Sequence, residues 1–157
     1  MAATSFHWLD PEARLDKVAD ALRPGGAVAL ISTHHVAGGD GPCFAEVQRC
    51  YETWMPGTPK GLALPNASDV PHQDTNDFEA SGHFAKPAFR RYERELTYTT
   101  REYRDLLLSY SGHRALAPDA REGLLACIGE LIDTRFGGRI AKRYMTELTV
   151  AHRRPPA

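Results

Sequence analysis

The sequence is short of cysteine, of excess charge of either sign and of long apolar runs, and each shortage excludes something. There are three cysteines among 157 residues, Cys43, Cys50 and Cys127. So few, and odd in number, they argue against a disulfide scaffold and for a reducing cytoplasm. Cys43 and Cys50 have no second close pair of ligands, so no zinc or other metal site is expected. The 19 basic and 20 acidic residues leave a net charge of −1. That balance gives no electrostatic footing for nucleic acid or an anionic membrane, and the basic tail His152-Arg153-Arg154 is too short to form a patch. No apolar run approaches the ~20 residues of a membrane span. No basic segment leads into an apolar one at the start, so a signal peptide is not expected. No repeat, no low-complexity tract and no Gly-x-Ser-x-Gly elbow of a hydrolase is present.

What is present is ordinary globular composition, 42% hydrophobic and 25% charged, at a length that suits one domain. Asp10-Pro11 predicts a helix start, with Asp10 as N-cap and Pro11 at the first helical position. Leu15, Val18, Ala19 and Leu22 follow at helical spacing. Arg23-Pro24-Gly25-Gly26 stops that helix: proline fixes φ, and the two glycines permit a tight reversal. Ala27–Thr33 is a short continuous apolar run, the pattern of a strand buried on both faces. A helix, a tight turn and a buried strand predict a parallel α/β sheet. The only candidate for an earlier neighbour strand is the stub Met1–Phe6.

Ala37–Pro42 reads as a Gly-rich loop, and its Gly38-Gly39-Asp40-Gly41 is a weak phosphate motif. Phe44–Trp54 predicts a helix with Phe44, Val47 and Tyr51 on one face. Met55–Lys86 has no periodicity and is expected to be a long loop. Phe89–Tyr98 alternates as a strand. Thr99-Thr100-Arg101-Glu102 is a capping box that opens a helix carrying Tyr103, Leu106, Leu107 and Tyr110. A second helix, about Asp119–Phe136, carries Leu124, Leu125, Ile128, Leu131 and Ile132 and ends at Gly137-Gly138. Tyr144, Thr146, Leu148 and Val150 alternate as a final strand.

Three stretches together resemble class I S-adenosylmethionine-dependent methyltransferases of the type 11 kind, the group that includes enzymes similar to trans-aconitate methyltransferase. The first is Ser5-Phe6-His7-Trp8-Leu9-Asp10, followed by the helix and Leu22-Arg23-Pro24-Gly25-Gly26-Ala27-Val28-Ala29-Leu30. The second is Tyr98-Thr99 with Tyr103 and Ser109-Tyr110-Ser111. The third is Glu147-Leu148-Thr149-Val150-Ala151-His152-Arg153-Arg154. In that family a Phe-His-Trp segment follows the fourth strand, Leu-Arg-Pro-Gly-Gly enters the fifth, and the strands lie in the order 3-2-1-4-5-7-6. The likeness implies an α/β fold: the C-terminal part of a Rossmann-like sheet, strands 5-7-6 with a stub of strand 4. It implies one partial domain over 1–157, with 37–87 as a loop and helix insertion.

The family's Gly-rich turn after its first strand, and the acidic residue that binds the cofactor ribose, are absent from these residues. Met1 falls where the fourth strand should end. The chain is therefore expected to be a C-terminal fragment, inactive alone, either a truncated product or a half-protein that binds a complementing N-terminal half. Left with an open sheet edge, it is expected to be a marginal monomer that self-associates. The implied activity is methyl transfer from S-adenosylmethionine to a small-molecule substrate. Ligands in open α/β sheets sit at the carboxyl ends of strands, which by resemblance places Thr4, Ser5 and Phe6 at the methionine end of the cofactor. His7 is the candidate base. Trp8, His34, His35, Tyr51 and Trp54 are candidates for substrate contact, although Trp8 reads more readily as core packing than as a cation–π wall. His34 and His35 are adjacent in a strand and are expected to point to opposite sides. The insertion would serve as a substrate lid, with His72, His83 and Phe84 among its aromatic and polar groups. Two further readings stay open: an interaction module that completes a partner's sheet, and a stand-alone enzyme using His7 with His34 or His35.

Overall fold

The backbone is built from α1 (Arg14–Ala21), α2 (Gly41–Trp54), α3 (Thr75–Ala80), α4 (Thr100–Leu108), α5 (Ser111–Arg114) and α6 (Pro118–Arg135), with strands β1 (Ala2–Ala3), β2 (Ala27–Gly39), β3 (Ala88–Thr99) and β4 (Arg139–His152). The structure, a computed structural model, describes residues 1–72 and 75–155. The fold is α/β, with a four-stranded sheet in the order β1-β2-β4-β3. That is the order expected of a strand-4 stub followed by strands 5, 7 and 6.

β1 pairs with β2 in parallel, Ala2 opposite Leu30 and Ala3 opposite Ile31. β4 runs the other way: Arg153 N donates to Gly26 O at one end of β2, and Asp40 N donates to Ala141 O at the other. β3 is antiparallel to β4 in turn, because Thr100 N donates to Gly138 O and Ala85 N donates to His152 O.

The turn into β2 forms as its residues dictate. Gly26 N donates to Arg23 O at 2.9 Å, and Gly25 takes φ +73°. This is a reversal with proline at its second position and a left-handed residue at its third, which glycine adopts without a Cβ clash. The capping box is also formed: the Thr99 hydroxyl accepts from Glu102 N, and the Glu102 carboxylate accepts from Thr99 N.

Several expectations are corrected. β2 does not stop at Thr33 but continues through His34 and His35 to Gly39, so the expected loop at Ala37 is strand. Only Val28, Leu30 and Val36 are buried along β2, all on one face, so the run is not enclosed on both sides. α1 begins at Arg14, not Pro11. Asp10 precedes α1, whose N-cap is Ala13; its carboxylate accepts from Glu12 N and its carbonyl from Ala13 N and Arg14 N, the bonds of a cap made to the turn that leads into the helix. Cys50 on α2 and Cys127 on α6 form a disulfide across 77 residues of sequence, and only Cys43 is free. The low cysteine count concealed this pairing because tertiary packing, not spacing, brings the two helices together.

The chain divides into two compact units. One comprises 1–35, 67–93 and 144–157. Its core is Phe6, Leu15, Ala19, Val28, Leu30, Phe78, Phe84 and Ala151. The other comprises 36–66 and 94–143, and its core joins Cys43, Val47 and Cys50 of α2 to Tyr103 and Leu107 of α4, four residues of α6 and Ile140. Among the described residues, no helix is long and apolar enough to cross a membrane.

Candidate functional site

In the first unit a cavity of about 280 Å3 is lined by Thr4, Ser5, Phe6, His7, Leu30, Ile31, Ser32 and Thr149. Its position follows from the strands. β1 ends at Ala3 opposite Ile31, and Thr4 N then donates to Ile31 O at 2.8 Å. Beyond that point the chain turns away through a short 3-10 turn at Phe6–Trp8, leaving an opening at the carboxyl end of β1, beside the first half of β2. Thr4 makes the turn at φ +47°, a left-handed conformation that strains a β-branched residue. Phe6 is held as part of the core, with the Arg14 guanidinium 4.7 Å from its ring centre. Arg14 in turn pairs with Asp77.

The lining is rich in hydroxyl groups, from Thr4, Ser5, Ser32 and Thr149, and includes no lysine, arginine or carboxylate. Four expected residues, Thr4 to His7, thus meet in one cavity. Ser32 and Thr149 were not singled out from the sequence. Ser32 Oγ lies 3.0 Å from His34 Nε2, so His34 is tied to a lining residue from two positions along the same face of β2. His35 lies on the opposite face, its ring 5.3 Å from that of Tyr144, as alternation requires.

The other expected contact residues lie elsewhere. Trp8 is 71% exposed, so it is neither core packing nor cavity wall; its ring lies 4.9 Å from that of His7. The 3-10 turn ends at Trp8 and directs the indole outward. Tyr51 and Trp54 belong to the second unit and do not line this cavity. The Tyr51 hydroxyl lies 2.9 Å from His113 Nε2, and burial pushes it well above its ordinary pKa. Burial likewise raises the Cys43 thiol to about 11 and lowers Lys142 to about 8. Lys142 Nζ sits 4.2 Å from the Phe44 ring centre. Phe84, expected on a surface lid, is buried in the first unit's core.

A second polar cluster in the first unit joins His72, expected on the lid, to Arg91 and Glu147, which were not singled out for a site. Glu147 on β4 is 1% exposed. Its Oε2 accepts from Arg91 Nε at 2.6 Å and lies 2.7 Å from His72 Nδ1. Arg91 also donates to Ala67 O and Val70 O, fastening the 67–72 segment to β3. Burial alone would raise the Glu147 carboxyl, but the hydrogen bonds from Arg91 and His72 and the Arg91 charge outweigh it and hold the group below its ordinary value. The alternation in β4 was legible, but the more deeply buried side carries Met145, Glu147, Thr149 and Ala151, a set too polar to be read as a core face.

Among the described residues, no cluster of histidine, cysteine and carboxylate groups has the geometry to hold a metal. No family model matches the sequence, and no curated protein does. Solved structures overlap it weakly. The MccD protein matches at 12% identity and TM-score 0.36, over 96% of this chain and 57% of that one. A protein assigned as a sarcosine dimethylglycine methyltransferase from Galdieria sulphuraria matches at 11% and 0.34, over 98% and 51%. The Haemonchus contortus phosphoethanolamine N-methyltransferase 2, solved with phosphomonomethylethanolamine and S-adenosylhomocysteine, matches at 14% and 0.33, over 99% and 32%. The chain thus spans between a third and three fifths of the length of these structures.

Proposed function

We propose that these residues form the C-terminal portion of an S-adenosylmethionine-dependent methyltransferase acting on a small molecule. The observation that carries this reading is the cavity at the carboxyl end of β1, built from Thr4–His7 and from Leu30, Ile31 and Ser32 in the first half of the strand that follows Leu-Arg-Pro-Gly-Gly. Its chemistry suits the methionine end of that cofactor. Hydroxyls of Thr4, Ser5 and Ser32 can hydrogen-bond an amino-acid group, and no cationic side chain in the lining would repel a sulfonium. Its volume is below the ~300–1,000 Å3 of whole-ligand sites, which fits a partial pocket whose nucleotide end is completed by residues outside these 157. When bound, the cofactor supplies an electrophilic methyl carbon. The chain's share is to hold the acceptor in line and keep water out, with Phe6, Leu30 and Ile31 as the apolar wall.

Titration of the chain with S-adenosylhomocysteine, followed by amide NMR, tests the reading. Weak, saturable shifts confined to Thr4–His7, Ile31 and Ser32 are expected. Sub-micromolar affinity would overturn the partial-pocket reading, and the absence of shifts at those residues at millimolar ligand would overturn the function. A second reading, an interaction module, is favoured by the brevity of β1: it pairs with only Leu30 and Ile31 of β2, which leaves a long strand sparsely covered on that side. Sedimentation across a concentration series tests it, with association at the micromolar level expected and a strictly monomeric chain against it.

A further inference from the structure

Three contacts orient the His72 imidazole in the first unit. Its Nδ1 lies 2.7 Å from Glu147 Oε2. Two lone pairs facing each other at that distance would repel, and the carboxyl is held ionised, so the ring must be the donor. The proton therefore sits on Nδ1, and Nε2 carries the lone pair in the neutral ring. Arg91 Nη2 also lies 3.2 Å from Nδ1 while donating to Val70 O at 2.6 Å, but accepting from it would turn the Nδ1 lone pair onto the carboxylate oxygen at 2.7 Å, so the shorter Glu147 contact sets the tautomer. Phe89 stacks on the imidazole at 4.0 Å with planes 23° apart, which fixes the ring plane. The side chain is 46% exposed. With Nδ1 turned to a buried carboxylate, the open edge is the one carrying Nε2.

The location is also suitable. Glu147 stands two positions before Thr149, a lining residue of the cavity. Along a strand this places both on one side of the sheet, about 7 Å apart. His7, by contrast, lines the cavity without a hydrogen bond to fix its tautomer among the described residues; its ring contact is Trp8.

We propose that His72, oriented by Glu147, is the proton acceptor for a hydroxyl- or amine-bearing substrate bound on this side of the sheet, with Arg91 and Glu147 as positioning residues. The identity of the proton donor rests on the methyl-transfer reading. In the step, the acceptor's O–H or N–H proton passes to His72 Nε2, and its oxygen or nitrogen bonds to the methyl carbon. The carbon–sulfur bond breaks with both electrons on sulfur. The positive charge thus moves from the sulfonium to the imidazolium, where the ionised Glu147 stabilises it.

The experiment is long-range 1H–15N correlation of the histidine rings in the full chain at neutral pH. His72 is expected as the Nδ1–H tautomer, and E147Q is expected to move it toward the Nε2–H form. An Nε2–H ring in the wild type overturns the proposal, as does a folded E147Q protein with an unchanged tautomer. If E147Q does not fold, the wild-type tautomer alone decides. S-adenosylhomocysteine titrations of wild type and H72N separate this proposal from the one it rests on. Loss of cofactor contact in both proteins, with the Nδ1–H tautomer intact, removes the methyl-transfer reading alone. The wrong tautomer with cofactor contact intact removes this proposal alone.

Discussion

The two units handle buried polarity in opposite ways. In the 36–66 and 94–143 unit, burial works against the charged forms of polar groups. Tyr51, Tyr103 and Cys43 are pushed toward their protonated forms, and Lys142 is pushed down to about 8. A disulfide joins two of its helices. In the other unit, the buried carboxylate of Glu147 is kept ionised by Arg91 and His72, and a hydroxyl-lined cavity opens beside the strand stub. The difference teaches that burial disfavours a charge unless charged and hydrogen-bonding partners are buried with it.

The strongest way to break that comparison is a core truncation. Ile128 on α6 is fully buried, and Ile128→Ala is expected to destabilise the chain by about 4 kcal/mol through lost burial and a residual cavity. His7→Ala, at an exposed position, should change stability by less than about 0.5 kcal/mol. Urea midpoints measure both, and similar shifts for the two would erase the distinction.

Next in size is Arg91→Met, which leaves Glu147 without its main counter-charge. A loss of about 3 kcal/mol at pH 7 is expected. The pH dependence has a definite sign. The folded Glu147 pKa lies below the unfolded value near 4.5, so its contribution is fully present above that value and disappears as pH falls through the folded pKa. Below that range the wild type and Arg91→Met curves should converge, and a constant gap down to pH 2 would contradict the assignment.

Reduction of Cys50–Cys127 is expected to remove about 2–3 kcal/mol, chiefly by releasing a constraint on the unfolded chain. Melting with and without a thiol reductant reads it, and no shift would leave the second unit resting on packing alone. The smallest effect is at the capping box. Thr99→Ala should lose about 1 kcal/mol, seen as faster amide exchange in the first turn of α4 before it is seen in the global melt.

Legibility from sequence followed the range of the forces involved. The Pro-Gly-Gly reversal, the Thr99 cap and the helix α6 depend on residues within one or two turns of each other, and all were readable. So was the strand order, through the likeness of the stretches around Leu22–Leu30 and Glu147–Arg154. Trp8 misled because an aromatic residue beside a buried Phe6 reads as core until the 3-10 turn is known. Asp10-Pro11 misled because the same pair that starts a helix also makes a turn.

What the sequence determined by itself was the α/β class and the punctuation between elements, since each is encoded in short-range spacing and backbone preference; Thr4–His7 came forward as candidates only through the family resemblance. Only the tertiary structure decided the rest. It paired Cys50 with Cys127, selected the polar side of β4 for burial, and brought Arg91, His72 and Glu147 to one point. These residues are 56 and 75 positions from Glu147. No local pattern records such a meeting, because burying the carboxylate is favourable only once its distant partners have arrived.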